Sequence, residues 1–318
     1  MKLSIVIPIY NEEENIRPLY DELNEVLQAI EHPHEIVFID DGSSDRSLEL
    51  LEEIQHNDGN VIVVSFRRNF GQTAAMAAGF DYAIGDVIVT MDGDMQNDPH
   101  DIPQLLAKME EGYDLISGWR FNRQDAFINR KLPSMIANKL ISTVTGVHLH
   151  DYGCTLKMFH REITKGIRLY GEMHRFIPAI ASGMGSRIAE VKVNHRPRRF
   201  GTSKYGISRT LRVILDLVTV KFLLSYATRP IQVFGMLGII SGSLGFVIAL
   251  IMTIQRQFFG VPLGNRPLLL LAVLLIFMGM QFISMGLLGE LQARTYFETQ
   301  NKPIYTVRKV LGWKEEQN

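Results

Sequence analysis

Two long apolar stretches, Val233–Ile254 and Leu268–Leu291, restrict this 318-residue chain more than any other feature of its sequence. The first holds no charged residue and the second only Glu290. A bilayer core takes about 20 apolar residues in helical form, so each stretch is expected to span a membrane. A soluble helical hairpin is the alternative, and it would have to bury both stretches in protein. The short connector Gln255–Pro267 carries only Arg256 and Arg266, whereas the outer flanks carry Arg294, Lys302, Arg308 and Lys309. Basic residues collect on the cytoplasmic side, which predicts a cytoplasmic N-terminal domain and C-terminal tail. Gly238 and Gly242 form a GxxxG pattern that serves either a homo-oligomer or the hairpin itself.

Ahead of the spans, four short β-branched runs (Leu3–Ile7, Ile36–Ile39, Val61–Ser65, Val87–Met91) alternate with helix-length amphipathic stretches (Asn15–Ile30, Ser47–Ile54, Thr73–Ile84). This βαβ repetition predicts an α/β domain on a mainly parallel sheet. In open sheets of that kind, ligands bind beyond the carboxyl ends of the strands. Those ends carry Tyr10-Asn11-Glu12, Asp40-Asp41, Asn69 and Asp92-Gly93-Asp94, so one composite site is expected there. The organisation read from the chain is a catalytic domain over 1–205, an amphipathic helix and linker over 206–230, a two-helix transmembrane hairpin over 231–291 and a cytoplasmic tail over 292–318.

In the linker, Ile207, Leu211, Ile214, Leu215, Val218, Phe222 and Tyr226 fall on one helical face. Arg209, Arg212, Asp216 and Thr219 occupy a narrow opposite arc. That pattern fits a helix lying in a membrane interface or a core helix on the sheet, and a basic arc beside a span suits anionic headgroups. A net charge of −1 provides no general attraction to nucleic acid. Locally, eight basic residues against Asp216 alone lie between Arg196 and Arg229. One cysteine, Cys154, allows neither an internal disulfide nor metal-ligand spacing, and it reads as structural, as does His195. The apolar N-terminus is too short for a signal-peptide core and reads as a first strand.

Asp92 and Asp94, one residue apart at the end of a buried strand, can point the same way. Paired carboxylates suit a hard divalent cation, Mg²⁺ or Mn²⁺, that also binds substrate phosphate, and Gln96 is near enough to join them. Alone, Asp92-Gly93 reads more simply as a turn dipeptide.

Three ordered motifs change that balance. Pro8-Ile9-Tyr10-Asn11-Glu12-Glu13, Asp40-Asp41-Gly42-Ser43-Ser44-Asp45 and Asp92-Gly93-Asp94-Met95-Gln96 resemble those of family-2 inverting glycosyltransferases, whose catalytic fold is GT-A. Arg68-Asn69-Phe70-Gly71-Gln72, Asp151-Tyr152-Gly153-Cys154 and the run from Arg198 to Tyr205 resemble polyprenyl-phosphate glycosyltransferases. That group includes bactoprenol glucosyltransferases and dolichol-phosphate mannosyltransferases. The resemblance covers nearly the whole chain. It implies a nucleotide-sugar donor held by Pro8, Tyr10, Glu12, Asp41 and Asp92, a metal on Asp92, Asp94 and Gln96, and a polyprenyl phosphate acceptor. Asp151, like Asp94, is implied to be catalytic, as a general base or as a group that orients the sugar or a basic residue. Arg120, Arg198 and Lys204 are the acceptor-phosphate candidates. Glucose from UDP-glucose is the expected sugar, with mannose from GDP-mannose or a UDP-aminoarabinose derivative as alternatives. A lipid-linked sugar made at the cytoplasmic face of a bacterial plasma membrane implies a downstream flippase and a second transferase.

Other functions fit less well. A dinucleotide oxidoreductase needs a glycine-rich turn after the first strand, where this chain has Ile9-Tyr10-Asn11-Glu12. Processive polysaccharide synthases resemble one another in a Gln-x-x-Arg-Trp signature, and neither Trp119 nor Trp313 follows an arginine. A non-enzymatic lipid-binding or transport subunit would keep the fold, but an intact aspartate pair beside a basic motif argues against it, and the spans offer few polar groups.

Overall fold

A computed structural model describes residues 1–121, 138–139, 141–143, 145–169, 173–197, 231–260, 262, 266–299 and 304–313. The chain divides into two compact units, Met1–Val220 with Pro303–Asn318, and Lys221–Lys302.

In the first unit, β1 (Leu3–Ile9), β2 (His34–Asp40), β3 (Val61–Phe66) and β4 (Val87–Thr90) pair in parallel in the order β3-β2-β1-β4. Helices α1 (Glu13–Ala29), α2 (Ser47–Asn57) and α3 (Gln72–Tyr82) make the crossovers. Beyond α4 (Ile102–Glu110) come β5 (Leu115–Arg120), β6 (Lys157–His160), α5 (Arg161–Gly166), α6 (Ile177–Gly183) and β7 (Ile188–Val193). β6 runs antiparallel between β4 and β5, and β7 pairs in parallel with β5. The last strand, β8 (Val307–Leu311), comes from the chain's C-terminal end and pairs antiparallel with β3. The full order is β7-β5-β6-β4-β1-β2-β3-β8.

Alternation along β1 explains the layering. Leu3, Ile5, Ile7 and Ile9 join one core with Ile16, Leu19, Leu23 and Leu27 of α1 and Ile102 and Leu105 of α4. Burying each such side chain contributes about 1.5–3 kcal/mol. Val6 faces the other way, under α3, where a β-carbon on Gly79 would lie 2.1 Å from its Cγ1. The alanine-rich α3 therefore sits unusually close to the sheet. Strand order reverses between β1 and β4, and the chain's connections leave in opposite directions there, opening a crevice at the carboxyl ends of those two strands.

The second unit contains α7 (Ile231–Phe259) and α8 (Pro267–Thr299). Within them Phe234–Phe259 and Pro267–Gly289 are long and apolar enough to cross a membrane. Their flanks are exposed, as at Met236, Phe246, Leu270 and Phe277, a surface that suits lipid and not water. The glycines close the hairpin on itself. β-Carbons on Gly238 and Gly245 would lie 2.7 Å from the Gly279 carbonyl and 2.6 Å from the Ala272 carbonyl, and Ser241 Oγ donates to the Leu275 carbonyl at 2.9 Å. α8 runs eight residues past the 291 boundary read from the sequence (299 − 291).

Candidate active site

The loops after β1 and β2 are stitched together by short polar side chains. Asn11, held at φ 52°, accepts the Ser44 N–H at 2.8 Å, and its own N–H donates to Ser43 Oγ at 3.0 Å. Asp40 is the turn-forming aspartate. Its Oδ1 accepts the Ser43 N–H at 3.0 Å and its Oδ2 accepts Ser65 Oγ at 2.7 Å. Asp41 turns instead to the loop after β3, where Oδ1 and Oδ2 accept the N–H groups of Phe70 and Gly71 at 2.6 and 2.9 Å. Burial pushes the Asp41 carboxyl up to about 6, against the pull of those two hydrogen bonds. Pro8, Tyr10 and Glu12 line the end of β1, each partly exposed. Glu12 Oε2 accepts Asn15 Nδ2 at 2.6 Å, which fixes its direction at the entry to α1.

Asp92, Gly93 and Asp94 follow β4 beside β1. A β-carbon on Gly93 would come within 2.4 Å of Ile9 Cδ1, so a glycine between the two aspartates lets their loop close onto β1. Met95 has φ 59°, and among the described non-glycine residues only Met95 and Asn11 adopt positive φ. Both flank the crevice, where strained backbone is commonly retained for function. Gln72 Nε2 donates to Asp92 Oδ1 at 2.7 Å, while Asn97 Oδ1 accepts the Asp92 N–H at 3.2 Å and Thr155 Oγ1 at 3.0 Å. Asp94 is buried, and its Oδ1 accepts the Gln96 N–H at 3.1 Å. Burial, and then the neighbouring Asp94 charge, raise the Asp92 carboxyl above the usual range. Two crowded carboxylates of this kind fit a hard divalent cation, which would relieve both the desolvation and the repulsion. The Gln96 side chain points toward the Arg196 carbonyl, 3.4 Å from its Nε2.

Arg120 and Asp151 meet across 31 residues of sequence. Arg120 Nε and Nη2 donate to Asp151 Oδ2 and Oδ1 at 2.7 and 2.9 Å, a bidentate pair with both side chains largely buried. Burial works against the guanidinium charge, and Asp151 outweighs it, holding Arg120 protonated. Arg120 lies close enough to Asp92 for each to feel the other's charge. Beneath them Lys157 is buried, with Nζ donating to the carbonyls of Cys154 and Tyr152, and burial lowers its pKa. His174 is held neutral, burial pushing it down to about 3, and its Nδ1 is 2.7 Å from Thr73 Oγ1.

Every described site candidate therefore lies at the carboxyl edge of the sheet. Arg198, Lys204 and the 206–230 stretch lie outside the described residues. Arg196, counted in the basic cluster, is committed to ion pairs with Glu22 and Asp98 at 2.7 Å each. Asn97, Thr155 and Lys157 carry no signal that marks them in advance, whereas Gln72 lies in a motif the sequence does display.

The architecture and motifs have known counterparts. Residues 4–168 match the family model described as glycosyl transferase family 2. A dodecaprenyl-phosphate galacturonate synthase of Rhizobium johnstonii is 46% identical over 98% of this chain and 93% of its own length. An undecaprenyl-phosphate 4-deoxy-4-formamido-L-arabinose transferase of Yersinia pestis is 38% identical over 100% of this chain and 96% of its own. Glucosyl-3-phosphoglycerate synthase of Mycobacterium tuberculosis, solved with Mn²⁺, UDP and phosphoglyceric acid, shares the fold at TM-score 0.54 and 18% identity, covering 69% of this chain and 78% of that one. By its matched domain, its GT-A architecture and its full-length relatives, the chain belongs to glycosyltransferase family 2.

Proposed function

We propose that this enzyme transfers a sugar from a nucleoside-diphosphate donor to a polyprenyl phosphate at a membrane surface. The observation that carries this reading is the Asp92–Asp94 pair, set at the switch point between β1 and β4 in a chain that aligns end to end with two polyprenyl-phosphate sugar transferases. Asp92 and Asp94 are the residues to hold a divalent metal, with Gln96 adjacent, and a bound metal would supply charge neutralisation for the departing diphosphate. Pro8, Tyr10, Glu12 and Asp41 face the nucleoside.

An acceptor phosphate oxygen forms a bond to the anomeric carbon as the bond from that carbon to the diphosphate breaks, and the electron pair leaves with the diphosphate. In-line attack inverts the carbon. A phosphate monoester loses its second proton near pH ~6, so the acceptor is nucleophilic without a base. Both Asp151 oxygens already accept from the Nε–Nη2 edge of Arg120, which supports an orienting role, with Arg120 aimed at acceptor phosphate. Arg198 and Lys204 are further candidates for that phosphate.

The sugar is the finer question. Glucose from UDP-glucose is the sugar expected from the sequence, although its motifs are shared by aminoarabinose transferases, and the two relatives are named for galacturonate and 4-deoxy-4-formamido-L-arabinose. Purified protein is to be given undecaprenyl phosphate, Mn²⁺ or Mg²⁺, and labelled UDP-glucose, UDP-galacturonate, UDP-4-deoxy-4-formamido-L-arabinose or GDP-mannose in turn. Label entering the lipid phase from one donor identifies the reaction and the sugar. Folded protein that binds UDP or GDP and labels no lipid from any donor overturns the reading.

Two spans return the chain to the side it left, and β8 in the catalytic sheet requires that return. With the basic flanks this supports a catalytic domain on the cytoplasmic face of a bacterial plasma membrane.

A further inference from the structure

The residues that follow the membrane hairpin reach the donor side of the crevice through a continuous set of ring and backbone contacts. Tyr305 is buried and stacks on Phe66 with ring centroids 4.9 Å apart, at 17° between planes. Its hydroxyl donates to Asp81 Oδ2 of α3 at 2.7 Å. The Arg67 N–H donates to the Thr306 carbonyl at 3.1 Å, and β8 then pairs along β3. Phe66 also meets Phe70 edge to face at 5.7 Å, and the Arg68 guanidinium lies 4.1 Å above the Phe70 ring. Phe70 and Gly71 supply the N–H groups that hold Asp41, and the next residue, Gln72, donates to Asp92. Loop 67–71 contains no regular element, so its shape depends on these anchors at its two ends.

We propose that Tyr305, with the strand it leads into, is a positioning element for the donor nucleotide, acting through Phe66 and Phe70 on the loop that fixes Asp41. This inference rests on the reading of Asp41 and Asp92 as donor contacts. Segment 304–311 follows α8 within a few residues in the chain, so support for the loop that holds Asp41 comes from residues that lie beyond both apolar helices. A catalytic domain cut off before the hairpin would keep every motif residue and lack this support.

The test uses the full chain in lipid nanodiscs and reads UDP and GDP binding directly with Mn²⁺ present, alongside KM for donor and for lipid phosphate. Tyr305→Ala is expected to weaken nucleotide binding and raise donor KM about tenfold, with acceptor KM within about twofold of the parent. Tyr305→Phe keeps the stack on Phe66 and should restore most of the affinity. Tyr305→Leu keeps apolar burial without the ring, so it serves if the alanine variant does not fold, and it should behave as the alanine variant does. Unchanged nucleotide affinity in a cooperatively melting alanine or leucine variant overturns the proposal. So does a parallel rise of donor and acceptor KM, which would mean general loosening. A parent chain that binds nucleotide but glycosylates no lipid counts against the transferase reading alone, and one that binds neither nucleotide removes both.

Discussion

Asp94 and Asp151 are both buried carboxylates in the crevice, but their neighbours give them different work. Asp94 sits against Asp92 and its charge helps to raise the Asp92 carboxyl, a crowding that suits a divalent metal. Asp94→Asn should lower turnover by at least about 10²-fold while leaving membrane insertion intact, and added Mn²⁺ should not restore it. Full activity in that variant with metal chelated would end the metal reading. Asp151 neutralises Arg120, so Asp151→Asn should reduce turnover about 10- to 10²-fold through misplacement, less than loss of a base would. The acid limb of the pH–rate profile should remain, since it belongs to the acceptor phosphate; its disappearance in Asp151→Asn would make Asp151 the base. Asp41 gives a pH prediction of two signs. Burial raises its folded pKa to about 6, above that of an ordinary exposed aspartate, so the folded chain binds the extra proton and its stability contribution falls as pH rises through that window. Nucleotide binding should move oppositely, because a protonated Asp41 can no longer accept both loop N–H groups, and affinity should drop below about pH 6. Calorimetry of UDP binding from pH 5 to 8 checks this, with Asp41→Asn expected to be weak and flat. Two of these roles differ in how far the sequence discloses them. Asp94 stands in a motif, but the Arg120–Asp151 pair joins positions with no periodic relation, and only the antiparallel β6 brings them together.

The elements divide in the same way. β1 to β4 are apolar, β-branched and buried on both faces, so their local composition already demands a parallel sheet. β6 (Lys157-Met158-Phe159-His160) and β8 (Val307-Arg308-Lys309-Val310-Leu311) are short and charged, and their partners are set by pairing across long sequence separations. For that reason the tail reads from the sequence as an appendage, whereas 307–311 is an edge strand of the catalytic sheet. The loop that follows β4 is tied in another non-local way. Arg196 pairs with Glu22 of α1 and Asp98 of the loop, and its N–H donates to the Gln96 carbonyl at 3.0 Å. Arg196→Met should destabilise the unit by about 1–3 kcal/mol, since two partly buried carboxylates lose their partner. Thermal melts in detergent with and without Mn²⁺ would read it, and an unchanged melting temperature would reduce the pairs to surface decoration.

At the scale of the whole molecule, the chain leaves its catalytic sheet, runs through two helices long and apolar enough to cross a membrane, and comes back to add β8 to that sheet. An odd number of crossings would strand β8 on the far side, so the two apolar segments must both span or neither can. Exposed apolar flanks on α7 and α8 make the second option costly in water. The single cysteine makes this easy to measure. Cys154 is fully buried and burial pushes its thiol up to about 11, so it presents almost no thiolate to a maleimide. New cysteines can therefore be read one at a time against a silent background. Pro262 lies in the connector between the spans and Arg308 on β8, and both are exposed. Pro262→Cys should react with a membrane-impermeant maleimide added to intact cells, and Arg308→Cys only after the membrane is opened. The reverse pattern would invert the orientation and place the sugar-transfer site outside the cytoplasm, away from any cytosolic pool of nucleotide sugar. Labelling of both positions in intact cells would mean that the hairpin does not span.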